Sequence, residues 1–528
     1  MNHKLMKTDQ PINPKGVASL SPGLASWRAY PGVRVASTHN PERIAASRSN
    51  SGLTTASFFL IGSLLLAGCS FAPKYDKPAV ATPGAFRELT PTEAKQTDGW
   101  KAAEPQDNAI RSNWWEMFQQ PELNALEVQI TVTNNQMLAI ALQNFILARE
   151  EMKATGSEYF PTVTANPSAA ASGGVSGSPQ IRSYTLPLNA SWQPDFWGSI
   201  RNSVKANALA AEATLGDLEN MRLSLQGELA ADYFQLRELD SLKQLLDATA
   251  GAYRDSLNLT RVLHKTGIAS DQDVAQAETQ LHTTLAQATD LGIQRAQLEH
   301  AIATLLGKPA SEFALGTNAL TAHPIPIPFG VPSQLLERRP DIAAAERRVA
   351  AANAQIGVAR SAYFPTITLS GQVGFNGEQI GSLGSGPTFL WSLGASAAET
   401  LFDAGKRKSV TKEAWASYRA NVANYRQTVL AAFQSVEDNL ATLRVLSEEL
   451  KQQSDAVASS QRYLNLAKDR YRLGIDSYLN VITAQTTLLA NQRTELNLRA
   501  EQMTASVQLV EGLGGGWDGS LATAEVRE

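Results

Sequence analysis

Only one cysteine, Cys69, occurs in 528 residues, and the six histidines are scattered. A lone Cys excludes an intramolecular disulfide framework and a cysteine-based structural zinc site. There is no zinc-protease helix motif, nucleophile elbow, P-loop or glycine-rich dinucleotide fingerprint, so no enzyme chemistry is expected. The adjacent carboxylates Glu437-Asp438 and Glu448-Glu449 read as solvated helix faces. Charge of one sign is also missing: 46 basic residues stand against 50 acidic ones. That balance argues against nucleic acid as a partner. Met and His form no cluster of the kind a metal relay would need, so neither a metal nor a cofactor is expected.

Long hydrophobic runs are absent as well. The apolar stretch Thr54–Leu66, flanked by Arg43 and Arg48, is too short to span a bilayer comfortably. It has the proportions of a signal-peptide core and ends in Leu66-Ala67-Gly68-Cys69, which resembles a bacterial lipobox. Residues 1–68 are therefore expected to be a signal peptide with a long N-terminal extension. Cys69 would be the first mature residue and the site of a covalent lipid. Ser70 follows it in place of the Asp that retains lipoproteins in the inner membrane, which favours the outer membrane.

Proline is absent from Gly198 to Lys308 and from Thr388 to the C-terminus, the places where it would break helices. These two stretches belong to a tandem duplication. Tyr159-Phe160-Pro161-Thr162 returns as Tyr363-Phe364-Pro365-Thr366, an offset of 204. Leu257-Asn258-Leu259 returns as Leu464-Asn465-Leu466, and Gly267-Ile268 as Gly474-Ile475, both at 207. Each half contains a lead-in helix (Glu122–Gly156, Leu335–Ala362) and two short strand-like segments (Thr162–Ser172 and Tyr184–Gln193; Thr366–Asn376 and Thr388–Thr400). A long helical hairpin follows them. The expected organisation is a lipid-anchored segment 69–120, a first repeat 121–308, a proline-rich linker 309–334, a second repeat 335–512 and a tail 513–528.

Leu215, Leu218, Leu225, Leu229, Leu236, Leu239 and Leu246 keep one apolar stripe, as do Leu443, Leu446, Leu450, Val457 and Leu464. Both have the spacing of coiled-coil packing. A helix of about 65 residues would rise roughly 100 Å, a length suited to crossing a periplasm. Gly267 and Gly474, each followed by small polar residues, mark the turns between the helices. The strand segments are near the length of a tilted membrane strand, with Trp192, Phe196, Trp197, Phe375, Phe389, Trp391 and Phe402 at or near their ends. Four strands cannot close a barrel, whereas three chains would supply twelve.

Several motifs then carry a resemblance: Cys69-Ser70-Phe71-Ala72-Pro73, Trp114-Trp115 with Phe118, Pro121-Glu122-Leu123-Asn124, Glu337-Arg338-Arg339-Pro340-Asp341, Leu401-Phe402-Asp403-Ala404-Gly405, and Tyr471-Arg472-Leu473-Gly474-Ile475 before Ala484-Gln485. In this order the chain resembles the TolC-like outer-membrane efflux channels, specifically the lipoprotein branch serving resistance-nodulation-division transporters. The resemblance implies a mainly α homotrimer with a small β part. Its 12-stranded transmembrane β-barrel would continue into an α-helical barrel, with an equatorial belt. It also implies an efflux conduit partnered by a periplasmic adaptor, an inner-membrane transporter and outer-membrane lipid. Thr266, Gly267, Leu473 and Gly474 match the tips that dock on the adaptor.

At the periplasmic gate the chain departs from the family. Charged residues common there are replaced by Thr483 and Thr486, while Leu479 matches an apolar gate residue. The first-half equivalents are Gln272, Gln276 and Thr279. A gate of this kind is expected to be mostly steric and little sensitive to salt. The competing reading is a periplasmic coiled-coil adaptor or structural lipoprotein, but that would carry one hairpin, not two. Cargo is expected to be organic compounds.

Overall fold

A computed structural model describes residues 70–88, 113–173, 181–322 and 338–515. Cys69, the signal segment, residues 323–334 of the proline-rich linker and residues 516–528 of the tail lie outside the described residues. Seven α-helices are present among those described: α1 (Pro121–Glu127), α2 (Gln136–Gly156), α3 (Ser199–Lys265), α4 (Asp271–Leu305), α5 (Pro340–Ser361), α6 (Lys406–Arg472) and α7 (Tyr478–Gly512). The strands are β1 (Thr162–Ala165), β2 (Ser168–Ser172), β3 (Ile181–Trp192), β4 (Thr366–Gly377) and β5 (Phe389–Ala398). Both α3 and α6 have 67 residues, and both α4 and α7 have 35. The duplication is thus preserved in element length.

The first lead-in helix is not continuous. It breaks between Glu127 and Gln136, where Asn135 caps α2 by accepting from the amides of Met137 and Leu138 at 2.9 and 3.1 Å. The first strand segment is likewise split by Asn166-Pro167, because proline offers no ladder donor. β1 and β2 therefore follow each other along one edge of β3, and the sheet runs β1/β2–β3–β4–β5, all antiparallel. Trp192 lies opposite Leu369, and Phe375 opposite Phe389. At Gly374, opposite Pro187, a Cβ would come within 2.3 Å of the Leu186 carbonyl oxygen, so only glycine lets these strands approach.

The two long helices begin alike. Gly198 and Gly405 both adopt left-handed backbone, at φ 73° and 90°. The Asp195 carboxylate accepts from the amides of Ile200 and Arg201, and Asp403 from those of Gly405 and Arg407. Each acid satisfies helix donors that have no partner within the helix and lies at the positive end of the helix dipole.

The largest hydrophobic cluster joins Trp114, Trp115 and Phe118 to Leu229, Tyr233 and Phe234 of α3 and to Val429, Val436, Met503 and Val510 of α6 and α7. A second cluster near the helical turns gathers Tyr253, Leu257, Leu281, Leu464, Tyr471, Tyr478 and Leu488. No described helix is long and apolar enough to cross a membrane.

Candidate functional site

The two helical turns are built on one plan. At the first, Gly267 is left-handed (φ 79°), and the Ile268 and Ala269 amides return to the Leu263 carbonyl at 2.9 and 3.2 Å. Ser270 and Asp273 then form a reciprocal capping box that opens α4. At the second, Gly474 is left-handed (φ 70°), and the Ile475 amide returns to Arg470 at 3.0 Å. Here the side chain of Ser477 makes no cap bond. Asp476 instead accepts from Arg470 Nε at 2.7 Å and Asn480 Nδ2 at 2.9 Å, and the Arg470 bond is the main cause holding its carboxyl below the usual range. Thr266, Gly267, Leu473 and Gly474 are all exposed, and the tips also present Ile268 and Ile475 to solvent.

Leu479, Thr483 and Thr486 share one exposed face of α7. Thr483 Oγ1 donates to the Leu479 carbonyl at 2.9 Å, and Thr486 Oγ1 to the carbonyls of Ile482 and Thr483 at 3.0 Å each. Their protons are spent within the helix, so this face offers methyl groups and acceptor oxygens and no charge. On α4, Gln276 is half-buried and Gln272 and Thr279 are exposed. The fold thus brings the α7 residues onto one face.

Beneath this face of α7 lies a buried polar seam that the sequence does not announce. Gln485 Nε2 donates to Ser256 Oγ at 3.0 Å, and the rings of Tyr471 and Tyr478 lie 5.2 Å apart. Burial pushes the Tyr478 hydroxyl up to about 12.

A second constellation, also unforeseen, fastens the segment after α4. Arg237 is 2 % exposed; its Nη1 donates to Asp240 Oδ2 and to the Gly316 carbonyl, both at 2.7 Å, and its Nη2 to Glu122 Oε2 at 2.6 Å. Arg295 donates to Asp240 Oδ1, Glu299 and the Leu315 carbonyl, while Asn318 N and Leu320 N reach Asp240 and Ser241. A single ion network therefore ties α1, α3, α4 and residues 315–320 into a belt. The i,i+3 spacing of Arg237 and Asp240 reads in sequence as an ordinary exposed pair. Only tertiary packing reveals that both are buried.

The N-terminal segment 70–88 runs along α5 and α6. Ser70 Oγ donates to Asn202 Oδ1 at 3.1 Å, and Phe71 stacks on Phe364 at 4.3 Å, two residues before β4. Phe364 stacks in turn on Trp197, whose Nε1 donates to the Pro365 carbonyl. Further along, Asn353 Nδ2 donates to the Pro73 carbonyl, and Tyr75 OH donates to Glu346. Glu437, expected on a solvated face, accepts the Arg87 and Glu88 amides at 2.8 and 3.2 Å, because the end of this segment packs over it.

A family model for outer membrane efflux proteins matches residues 128–308 and 331–515. A toluene efflux pump outer membrane protein, TtgC of Pseudomonas putida, is 31% identical over 469 residues, covering 87% of this chain and 94% of that protein. The cation efflux system protein CusC of Escherichia coli O6:H1 is 29% identical over 457 residues, covering 86% and 97%. Among solved structures, the outer-membrane channel OprN superposes with a TM-score of 0.78 at 30% identity, covering 85% of this chain and all of that one. The duplicated hairpins, the sheet four strands wide and these likenesses agree. The chain belongs to the outer membrane efflux protein family and is an outer-membrane efflux channel, not an enzyme.

Proposed function

We propose that three copies of this chain close one conduit across the outer membrane and the periplasm, as the outer-membrane part of a tripartite pump. The observation that carries this reading is the sheet, four positions wide because β1 and β2 share one edge of β3; its outer strands β1/β2 and β5 have no further strand partner among the described residues. Open edges are not tolerated in hydrocarbon, so a membrane sheet must close on itself, and twelve strands from three chains do so. Strands of 10 and 12 residues suffice for a tilted crossing.

Cys69 carries the lipid in this reading. It immediately precedes Ser70 and Phe71, whose respective partners Asn202 and Phe364 stand beside the start of α3 and of β4, where the strands leave the helices. A diacylglyceryl group there would enter the leaflet beside the barrel. The tips at Thr266, Gly267, Leu473 and Gly474 dock on a periplasmic adaptor, which links the channel to a resistance-nodulation-division transporter in the inner membrane. The gate of Leu479, Thr483, Thr486 and Gln276 closes by contact, without ion pairs. Organic compounds are the cargo, the class that the name of the toluene-pump relative suggests.

Fractionation of cells producing the full chain tests the reading. The expected result is a heat-modifiable trimer in the outer membrane that copurifies with an adaptor and a transporter, and loss of lipid labelling in Cys69→Ser. A monomer in the soluble or inner-membrane fraction would overturn it in favour of an adaptor or structural lipoprotein.

A further inference from the structure

A cavity of about 850 Å³ opens where α3, α4, α6 and α7 converge. Its lining is mixed: Leu239, Leu298 and three alanines supply apolar wall, while Gln235, Glu238, Gln294, Gln297, Glu501 and Gln508 supply amides and the only two charges. Its position relative to the belt follows from helix geometry. At about 100° per residue, Gln235 and Glu238 point away from Arg237 and Asp240, which hold the belt from the other side of α3. On α4, Gln294 and Gln297 likewise lie opposite Arg295 and Glu299. The cavity is therefore on the side of the helical layer away from the belt, and the trimeric-conduit reading takes this side as the lumen wall.

Among the described residues, no cation compensates its two carboxylates. Glu238 receives one hydrogen bond, from the Asn497 amide at 2.9 Å with its nitrogen turned toward α3. The basic groups of these helices are engaged elsewhere: Arg295 with Asp240 and Glu299, Arg493 with Gln287, Arg499 with Glu495, and Arg444 with Glu88. His300 of α4 is not among the lining residues. What faces Glu238 is Glu501 across from α7 and amides from α4, while Glu228 and Asp232 continue the acidic character along α3.

We propose that Glu238 and Glu501 set the charge preference of the conduit, favouring cationic over anionic cargo at mid-wall, with a strength that follows pH. The inference rests on the trimeric-conduit reading. Burial, with the charge of Glu501 added, pushes the Glu238 carboxyl up to about 7, and burial with Glu228 pushes Asp232 up to about 6. Near neutral pH the wall therefore alternates between a protonated and a fully ionised state. Deprotonation adds negative charge in a confined space, where it repels anions and concentrates cations. The tips contribute little to this preference, because their gate face carries no charge.

Two measurements on the full-length protein test the inference. In planar bilayers under a KCl gradient, the preference for K⁺ over Cl⁻ should strengthen from pH 5.5 to 8.5. Glu238→Gln/Glu501→Gln should abolish most of that pH-dependent part, while Glu448→Gln/Glu449→Gln, outside the cavity, should keep it. An unchanged pH dependence in the first variant overturns the proposal and leaves the channel reading intact. Failure of the wild-type chain to form trimers or conduct would count instead against the conduit. Infrared absorption of protonated carboxyls in the purified protein needs no current. The carboxyl band titrating near neutral pH should lose the intensity of one group in Glu238→Gln, and an undiminished band would equally overturn the proposal.

Discussion

Replacing Arg237 should loosen the belt before it unfolds the helices. The guanidinium is 2 % exposed and gives charge-assisted bonds to Glu122, Asp240 and the Gly316 carbonyl. Asp240, its partner, has a fully buried side chain. Arg237→Ala removes all three bonds and leaves that carboxylate with Arg295 and the Asn318 amide alone. Removing one member of a buried pair costs about 3–5 kcal/mol. Applied to local opening, a loss at the lower end of that range raises the open population roughly a hundredfold, since every 1.4 kcal/mol is tenfold. Arg237→Lys keeps the charge but not the fork, and should fall between. The control is Lys243→Ala, whose partner Asp247 is one turn away with both side chains about half exposed; it should cost less than about 1 kcal/mol. Limited proteolysis within residues 313–322, followed by mass spectrometry, reads the opening directly, and helix melting reads the global effect. If Arg237→Ala is cleaved and melts like Lys243→Ala, the network does not hold the belt.

Glu127 offers a test with a definite sign. It is 1 % exposed, neither carboxylate oxygen has a partner, and burial holds its carboxyl well above the ordinary 4.5. Below 4.5 the group is neutral both folded and unfolded and costs nothing through ionisation. As pH rises above 4.5 the unfolded chain ionises while the folded one resists, so stability falls by about 1.4 kcal/mol per pH unit until the folded value is reached. Glu127→Gln should therefore melt higher than wild type at pH 8 and gain much less at pH 5; equal gains at both would refute the assignment. Gly307 is left-handed (φ 68°), and a Cβ there would lie 1.8 Å from the Asn134 carbonyl oxygen. Gly307→Ala should accordingly lower the melting midpoint well beyond Gly267→Ala, which has the same backbone strain in open space, worth about 1–2 kcal/mol.

The sequence makes the periodic features legible and hides those that depend on long-range packing. Proline-free stretches, glycines at the tips and leucine stripes locate both hairpins within a few residues, because helix length and turn chemistry are local properties. The break at Glu127–Gln136 was visible in principle, since Thr131-Val132-Thr133-Asn134-Asn135 is poor helix sequence ending in a good cap. Pro167 likewise signals the split between β1 and β2. The belt network could not be read, because Glu122, Arg237, Arg295 and Glu299 meet only after α1, α3 and α4 pack together. Glu238 and Glu501 are 263 positions apart and belong to different repeats, so no local pattern pairs them. For Leu479, Thr483 and Thr486, the sequence supplies the residues and the structure their common face; the hydroxyl bonding that removes the threonine donors follows only from coordinates.

Duplication explains the equal lengths of the hairpins, while their surfaces diverge by position. Of the 67 residues in α3, 27 are buried, against 11 of the 67 in α6. α3 is surrounded by α2, α4, α5, α7 and the belt, whereas α6 packs chiefly on α5 and α7. The shortfall is apolar as well as polar: Leu430, Val445, Tyr463 and Leu466 of α6 stand exposed, as do Met137, Ile140 and Leu147 of α2. Bare apolar flanks of this kind mark an interface awaiting a partner. In a closed trimer α6 would lie at the protomer boundary and a neighbouring copy would cover it, while α3 would remain inside its own chain. Equal length then serves continuity of the wall, and unequal burial records which repeat holds the protomer together and which joins it to the next.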